Sequence, residues 1–253
     1  MLALSVVQEI RCSHCGAPLV FNPGEIIVTC RYCGFTGIIE AGKPFTLEHS
    51  MLLNEYDLTR IEDSVREWMR SGFLKPGDLT RKSKILEKSL VYLPFWVVSL
   101  SAVSQYKGIF DRLTPPVVKE GKIEKRYNWL VLARRATEFP TSEYDVPLEG
   151  KIPYDFRKIE GFAKVLNSEM DRAEAVEMAK QQVEDHHRFL AQQDVDKIVE
   201  MKTDLSVGDS AYLHAPIWFI LYEYRGERYD IIMDGATGTV IKGDIPPPGF
   251  GFF

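Results

Sequence analysis

The chain has 253 residues, of which 45% are apolar and 26% are charged, a composition that is typical of a globular protein and excludes a disordered one. The length allows one large or two small domains that each bury a core. The first residues contain neither a basic region nor a small-residue cleavage site, and no run reaches the roughly 18 apolar residues of a membrane span. The sequence therefore predicts a cytoplasmic protein without an integral membrane segment.

The net charge of −5 is distributed unevenly along the chain. Residues 60–135 carry 16 Lys and Arg against 8 Asp and Glu, whereas residues 136–253 carry 12 against 22. A basic middle segment indicates either a surface for nucleic acid or anionic lipid, or a segment that faces the acidic C-terminal part within one fold. The internal duplication that the sequence indicates favours the second interpretation.

All four cysteines lie near the N-terminus in two Cys-x-x-Cys pairs, Cys12 with Cys15 and Cys30 with Cys33. This spacing is typical of a structural zinc site, in which four thiolates close a tetrahedral shell. A glycine follows each pair, where a positive φ lets backbone N–H groups turn towards the sulfurs. The sequence predicts a zinc ribbon over residues 1–43, with structural Zn²⁺ as its cofactor.

Two short β-prone runs lie between the cysteine pairs, "PLVF" and "EIIVT", and Pro23-Gly24 is a turn signal between them. These features predict a hairpin with one metal knuckle at each end. Two disulfides are the competing interpretation, which a cytosolic location disfavours, and the spacing differs from that of typical ferredoxins. A catalytic zinc needs an open position, so a closed shell argues against catalysis here, and His14 is predicted to be exposed.

Two later segments share a Pro-x-Trp signature within a long β-prone run, Pro94-x-Trp96 and Pro216-x-Trp218. Each run is preceded by a helix signal, which indicates two copies of one helix-plus-sheet unit, residues 44–150 and 151–253. A proline inside a strand indicates an edge strand or the start of a strand. The sequence thus predicts an α+β fold in which the ribbon precedes two similar helix-plus-antiparallel-sheet units.

The remaining elements are predicted from caps, spacing and turn residues. One helix is predicted over 59–71, with Thr59 and Glu62 as a capping box, and a second over 168–202, capped at Ser168-x-x-Asp171 and weakened near 192–194. The turns "YRGERY" and "DGATG" predict strands in "YDIIMD" and "TVIKGD", and the first copy returns as a strand near 123–135.

These parts together resemble a largely uncharacterised group of archaeal and bacterial zinc-ribbon proteins, whose ribbon is like that of the general transcription factors. The matching parts are the four cysteines, the two Pro-x-Trp entries and "YDIIMDGATGTVIKGDIP" at 229–246. The last hairpin is also similar to the end of a PepSY-type, cystatin-like unit. The resemblance implies an α+β fold and says little about function.

No set of side chains predicts an enzyme. "DGATGTV" and "GDSA" have the composition of turns, and all four cysteines are assigned to the metal. His186 and His187 are adjacent on a predicted helix and point about 100° apart, so a pair on the helix surface is the default interpretation. A nucleophile, a base and an orienting group cannot be assembled from the sequence.

The sequence therefore predicts a non-enzymatic, zinc-binding adaptor or regulatory factor with a protein partner. The alternative is a nucleic-acid-associated factor that uses the ribbon and the basic segment 60–135. The Phe-rich tail "IPPPGFGFF" is either a docked or frayed end or a linear motif for a partner. The candidate partner-binding residues are Arg11, His14, Arg31, Tyr32, Phe250, Phe252 and Phe253.

Overall fold

The structure is a computed structural model that describes residues 10–21, 25–38, 49–72, 75–112, 114–135 and 137–247. Within these residues the protein is a mixture of α and β structure, mostly sheet, with three α-helices and 45% strand, which confirms the predicted mixture of helix and sheet. The helices are α1 (Leu58–Arg70), α2 (Leu79–Lys82) and α3 (Arg172–Asp194). The strands are β1 (Ile27–Thr29), β2 (Thr36–Ile38), β3 (His49–Met51), β4 (Lys84–Phe110), β5 (Val117–Leu132), β6 (Ile152–Pro153), β7 (Lys164–Val165), β8 (Lys197–Tyr224), β9 (Glu227–Asp234) and β10 (Val240–Gly243).

An antiparallel ladder between β4 and β8 is the centre of the protein. These strands have 27 and 28 residues, and their pairing runs from Lys84 opposite Glu223 to Ile109 opposite Lys197. Where the strands cross the core they are rich in β-branched and aromatic residues that are buried on both faces of the sheet. β5 flanks β4, β9 flanks β8, and β10 continues the sheet beyond β9. The predicted strands in "YDIIMD" and "TVIKGD" are confirmed as β9 and β10.

Both Pro-x-Trp prolines lie in the two central strands, so the prediction of an edge strand or a strand start is wrong. The carbonyl of Pro94 accepts from Ala133 N–H at 2.9 Å, next to the end of β5, and that of Pro216 accepts from Gly235 N–H at 2.8 Å, next to the end of β9. In an antiparallel sheet, the N–H and C=O groups of one residue point towards the same neighbouring strand. The nitrogen of each proline therefore points towards the end of an outer strand, as its carbonyl does. The lack of an N–H at these two prolines therefore removes no hydrogen bond from the ladder between β4 and β8.

In the register between β4 and β8, the two Pro-x-Trp segments occupy equivalent positions relative to each other. Pro94 pairs with His214, and Pro216 pairs with Tyr92, so each proline lies opposite the residue two positions before the other proline. Short parallel strands follow the same relation, because β3 lies beside β8 just before Pro216 and β7 lies beside β4 just before Pro94. The same order of neighbours therefore surrounds each Pro-x-Trp segment.

The two long helices cover different regions of one sheet face. α1 packs on Leu90 and Trp218, at the start of β4 and the end of β8, whereas α3 packs on Trp96 and Val98 of β4, on β5 and on the start of β8. Each tryptophan donates its Nε1–H to the segment before the helix that covers it: Trp218 to Asn54 Oδ1 at 2.9 Å and Trp96 to the Met170 carbonyl at 3.2 Å. The other sheet face packs against the segment 139–148.

The first long helix confirms the predicted position but corrects its cap. Ile61, Val65 and Met69 recur every four residues and are buried. The N-cap is Asp57, whose carboxylate accepts from the N–H groups of Thr59 and Arg60 at 2.9 and 2.8 Å. The predicted capping box of Thr59 and Glu62 is wrong because the N-cap is Asp57, two residues before Thr59.

The prediction of a helix over 168–202 is wrong at both ends. Asp171, and not Ser168, is the N-cap of α3 and accepts from Glu174 N–H at 2.9 Å, so the helix begins at Arg172. It ends at Asp194, close to the predicted weak point. From Lys197 onwards the chain is strand. Exposed and partly buried side chains alternate along most of "KIVEMKTDL", and its backbone pairs with β4. The two Pro-x-Trp runs, 90–100 and 211–224 in the sequence, likewise belong to longer strands, because β4 spans Lys84–Phe110 and β8 spans Lys197–Tyr224. Among the described residues, no helix is long and apolar enough to cross a membrane.

Candidate metal centre and adjoining groove

The four cysteines lie in two knuckles with the same backbone hydrogen bonds. Cys12 N–H donates to the Ala17 carbonyl and Cys30 N–H to the Phe35 carbonyl, both at 2.8 Å. Gly16 N–H and Gly34 N–H donate back to the carbonyls of Cys12 and Cys30, at φ values of 72° and 74°. Both glycines are therefore in the left-handed region that the sequence analysis predicted for them.

The sulfur atoms lie close enough together to hold a metal ion. Cys12 Sγ is 3.6 Å from Cys33 Sγ, Cys15 Sγ is 3.7 Å from Cys30 Sγ, and all four sulfurs lie within 4.8 Å of one another. A tetrahedral ion with metal–sulfur bonds of about 2.3 Å separates its sulfurs by about 3.8 Å. The donor set and its spacing therefore fit a four-thiolate metal site.

The hairpin at this site differs from the predicted one. β1 pairs with β2 from Ile27 opposite Ile38 to Thr29 opposite Thr36, so the hairpin encloses the second knuckle. The first knuckle is closed by a single bridge between Arg11 and Pro18, and "PLVF" forms no strand. The predicted pairing of "PLVF" with "EIIVT" is wrong because "EIIVT" pairs instead with the residues that follow Cys33.

Several buried contacts attach this hairpin to the rest of the protein. Ile27 is 2% exposed and packs in the core beneath α3, and its N–H and that of Ile26 donate to the Ser168 carbonyl. Just before β1, Glu25 Oε1 lies 2.9 Å from Arg134 Nη1, and Arg134 Nη2 lies 2.9 Å from Glu169 Oε1. The segment that carries the four cysteines is therefore anchored by an ion pair and an apolar residue that are both buried.

A chain of hydrogen bonds leads from the hairpin into the core. Thr29 Oγ1 lies 3.0 Å from Thr36 Oγ1, and Thr36 Oγ1 lies 2.9 Å from His49 Nδ1. His49 Nε2 lies 2.7 Å from His214 Nδ1, and His214 Nε2 lies 2.7 Å from the Leu166 carbonyl oxygen. The chain joins β1 and β2 of the hairpin to β3, to the central strand β8 and to the residue after β7.

The carbonyl of Leu166, at the end of this chain, determines which atom donates and which accepts in every hydrogen bond of the chain. The Leu166 oxygen only accepts, so His214 carries its proton on Nε2 and accepts at Nδ1. His49 must then donate from Nε2 and accept at Nδ1 from the Thr36 hydroxyl, which in turn accepts from Thr29. Burial lowers the pKa of His214 to about 4, and burial together with the neighbouring His214 lowers that of His49, so both histidines are neutral at pH 7.

These histidines should make stability depend on pH. An unfolded histidine titrates near pH 6.5, so between about pH 6.5 and 4 the unfolded chain binds more protons than the folded one. The free energy of unfolding should be highest above pH 6.5 and decrease as the pH falls through this range, by about 3 kcal/mol for His214 alone. Urea unfolding of metal-saturated protein at a series of pH values measures this slope.

One variant separates the buried histidine from other acid effects. His214→Gln should flatten the slope between pH 6.5 and 4 relative to the wild type, because it removes the group whose pKa burial lowers. Identical slopes in the wild type and the His214→Gln variant would contradict this assignment.

A groove of about 640 Å³ lies beside the second knuckle, and we call it the knuckle groove. One wall comes from the knuckle and the other from β6 and the short 3-10 helix that follows it, Phe156–Lys158. The lining residues are Arg31, Tyr32, Cys33, Gly34, Ile152, Pro153, Tyr154, Asp155, Phe156, Arg157 and Lys158. Two candidate partner-binding residues, Arg31 and Tyr32, therefore face a groove whose opposite wall the sequence did not predict.

The other candidate residues lie elsewhere. His14 is exposed, as predicted, and its ring stacks on Phe35 with the ring centroids 5.8 Å apart. Arg11 donates to the Gly16 carbonyl within the first knuckle. Phe250, Phe252 and Phe253 lie outside the described residues.

The histidine pair on α3 is not a surface pair, which corrects the sequence interpretation. His187 is fully buried, with Nδ1 2.7 Å from Ser104 Oγ and Nε2 2.9 Å from Tyr127 OH. His186 contacts the rings of Tyr127 and Trp129. Because Ser104 is also fully buried under α3, the serine–histidine contact has no access to a substrate and serves the packing of α3 on the sheet.

Sequence reasoning missed His49 and His214. His214 had a local signal, since one histidine within the apolar run "AYLHAPIWF" indicates a buried polar group that needs a partner. His49 had none, because its partners come from β2 and β8, far away in the sequence. No family model matches the chain, and neither curated proteins nor solved structures give a significant match.

Proposed function

We propose that this chain is a zinc-binding, non-enzymatic protein that presents the knuckle groove to a protein partner. The observation that carries the proposal is the position of Arg31 and Tyr32. Both lie between the metal-binding residues Cys30 and Cys33 and line the groove, so the metal would shape one of its walls. In this proposal the metal stabilises the knuckle, and the knuckle groove beside it binds the protein partner.

Zinc is the ion that suits this site best. Four cysteines form a closed shell for a tetrahedral ion and leave no open position for substrate or water. Two knuckles with matching hydrogen bonds are also typical of structural zinc sites rather than of catalytic ones. The closed shell and the buried state of Ser104 and His187 both support a non-enzymatic role.

The body that carries the groove is proposed to be an internal duplication. The reciprocal register of Pro94 and Pro216 supports this interpretation, as does the parallel placement of β3 and β7. Each buried tryptophan also donates to the segment before a helix. These matched contacts are expected of two copies related by an approximate two-fold axis.

The alternative of a nucleic-acid-associated factor has less support. Many basic residues of segment 60–135 form ion pairs, several with acidic residues of the C-terminal half. The pairs include Arg66–Glu62, Lys82–Asp78, Lys88–Glu62, Lys107–Glu120, Arg112–Asp196, Lys119–Asp194, Lys122–Glu124, Arg134–Glu25, Arg134–Glu169 and Arg135–Glu174. Phe95 and Trp96 are buried and cannot stack on bases.

Site-specific photo-cross-linking tests the proposal. A photoreactive amino acid at position 32 should cross-link a protein partner in the native host, and the same group at Phe189, an exposed aromatic residue on α3, should not. Metal analysis of the purified chain should give one zinc per chain. If both positions give the same cross-links, or if zinc removal leaves the cross-link at position 32 unchanged, the proposal is wrong.

A further inference from the structure

We infer that the outer edge of β5 pairs with the same edge of a second copy of this chain. The two copies then share one antiparallel sheet and are related by a two-fold axis perpendicular to it. This edge is separate from the knuckle groove, so the pairing does not depend on the proposed function. Three properties of β5 indicate the pairing: its regularity, the backbone groups that it leaves unpaired and the order of its charges.

β5 is a long and regular edge strand. Its 16 residues pair with β4 without a register shift, and among the described residues no strand pairs with its other side. β5 also contains no proline. By contrast, β6 carries Pro153, and the pairing of β4 with residues 197–210 of β8 contains two register shifts. Prolines and bulges protect sheet edges, whereas a regular edge is a template for another strand.

Alternate residues of β5 direct their backbone groups away from β4. Just beyond the strand, Ala133 N–H donates to the Pro94 carbonyl at 2.9 Å, and this pair continues the register of β5 with β4. Hydrogen-bonded residues alternate along an antiparallel pair, so the odd-numbered residues of β5 bond to β4. The even-numbered residues within 118–128 therefore direct N–H and C=O groups outwards, and no other described segment bonds to these groups. They can exchange hydrogen bonds with an added strand.

Charges of alternating sign lie on these same residues. The row consists of Glu120, Lys122, Glu124 and Arg126, and all four residues are exposed. The row lies on the sheet face opposite α3, because the odd-numbered Tyr127 contacts His187 of α3. Along the strand the signs are negative, positive, negative and positive. The reversed row of an antiparallel second copy is therefore complementary to it.

Ile123 lies at the centre of this row, and a two-fold axis beside it determines the register. Lys122 then lies opposite Glu124 of the second copy, and Glu120 lies opposite Arg126 of the second copy. Each of these pairs combines opposite charges with an exchange of backbone hydrogen bonds. An axis beside Lys122 or Glu124 would instead place like charges opposite each other, which is destabilising. The charges therefore select one register over its neighbours.

The same register covers two side chains that are exposed in the single chain. Arg126 forms no ion pair among the described residues, and in the pair of copies it lies opposite a carboxylate. Val117, at the start of β5, is 46% exposed. It then lies opposite Trp129 of the second copy, which supplies an aromatic surface for the valine to pack on.

Sedimentation equilibrium of the full-length chain with zinc added tests this inference. The wild type should associate in the micromolar range to twice its chain mass of 28.9 kDa. The acidic variant, Lys122→Glu/Arg126→Glu, makes the whole row negative. Its self-association should weaken roughly a hundredfold or more, because every attractive pair across the axis becomes a repulsive one.

A second variant distinguishes a lost contact from lost folding. The basic variant, Glu120→Lys/Glu124→Lys, makes the row positive and should also be monomeric alone. A mixture of the acidic and basic variants should form heterodimers, because every opposed pair is then attractive and both chains must be folded to pair. The matched control is Lys197→Glu/Lys202→Glu, which makes the same change of charge on exposed residues of β8 and should dimerise as the wild type does.

Hydrogen exchange locates the interface along the chain. Amides of residues 117–129 should gain protection as the wild-type concentration rises, because the outward N–H groups become bonded. The acidic variant should show no such gain at the same concentrations.

Each remaining outcome overturns the inference. A wild-type chain that stays monomeric throughout the micromolar range contradicts the pairing. Dimers that persist in the acidic variant place the interface elsewhere, and assemblies larger than dimers contradict the two-fold axis. A mixture of the two variants that stays monomeric contradicts the register.

Discussion

Removal of the proposed zinc ion should unfold residues 10–21 and 25–38 while the central ladder of β4 and β8 stays folded. The metal-binding segment has only two strands of three residues, so it cannot supply much core of its own. Zinc contributes on the order of 10 kcal/mol to the folding of comparable peptides. Chelation should also expose Ile27 and break the hydrogen bond between Thr36 and His49, which extends the effect to β3.

Hydrogen exchange measured by mass spectrometry, with and without chelator, locates this change. Amides of β1 and β2 should lose protection, those of β3 should lose part of it, and those of β4 and β8 should keep it. Addition of zinc should restore the original pattern. Unchanged exchange in β1 and β2 after complete zinc removal would show that the metal does not stabilise this segment.

Arg134→Ala should destabilise the protein by about 3–5 kcal/mol, because it leaves two carboxylates without their shared cation. The Arg134 side chain is 11% exposed and lies between Glu25, which is fully buried, and Glu169. Loss of the cation should therefore weaken the attachment of the metal-binding hairpin as well as the global stability. Urea unfolding of zinc-saturated protein measures the free energy of unfolding.

The neighbouring arginine provides the matched control. Arg135 pairs with Glu174, but its side chain is 56% exposed, so Arg135→Ala should cost less than about 1 kcal/mol. If the two variants lose similar stability, the buried position of Arg134 has no special role. A triple variant with Arg134→Met, Glu25→Gln and Glu169→Gln should recover part of the loss, because it also removes the two buried carboxylate charges that Arg134 neutralises.

Local chemistry explains what the sequence predicts correctly. The cysteine spacing and the following glycines predict both knuckles, since a metal knuckle is formed by residues adjacent in the chain. The strand pair around "YRGERY" is also specified within a few residues. These elements are decided by turns and ligand spacing, and both can be read locally.

Long-range pairing explains what the sequence does not predict. "KIVEMKTDL" becomes strand because β4 lies beside it, and Pro94 and Pro216 lie in central strands because their outer neighbours end there. The second wall of the knuckle groove lies more than a hundred residues from the first in the sequence. Such placements depend on which strands meet, and no short window contains that information.

The pairing of β4 with β8 also determines when the protein can form its core during synthesis. β4 ends at Phe110, but its main partner is complete only at Tyr224. Until then the nascent chain carries the apolar strand β4 with only β5 and the two-residue strand β7 to pair with it. Pairing across such a separation is slow, and unpaired strands of this kind tend to aggregate. We therefore expect the ribosome-bound N-terminal half to depend on chaperones until β8 emerges from the exit tunnel.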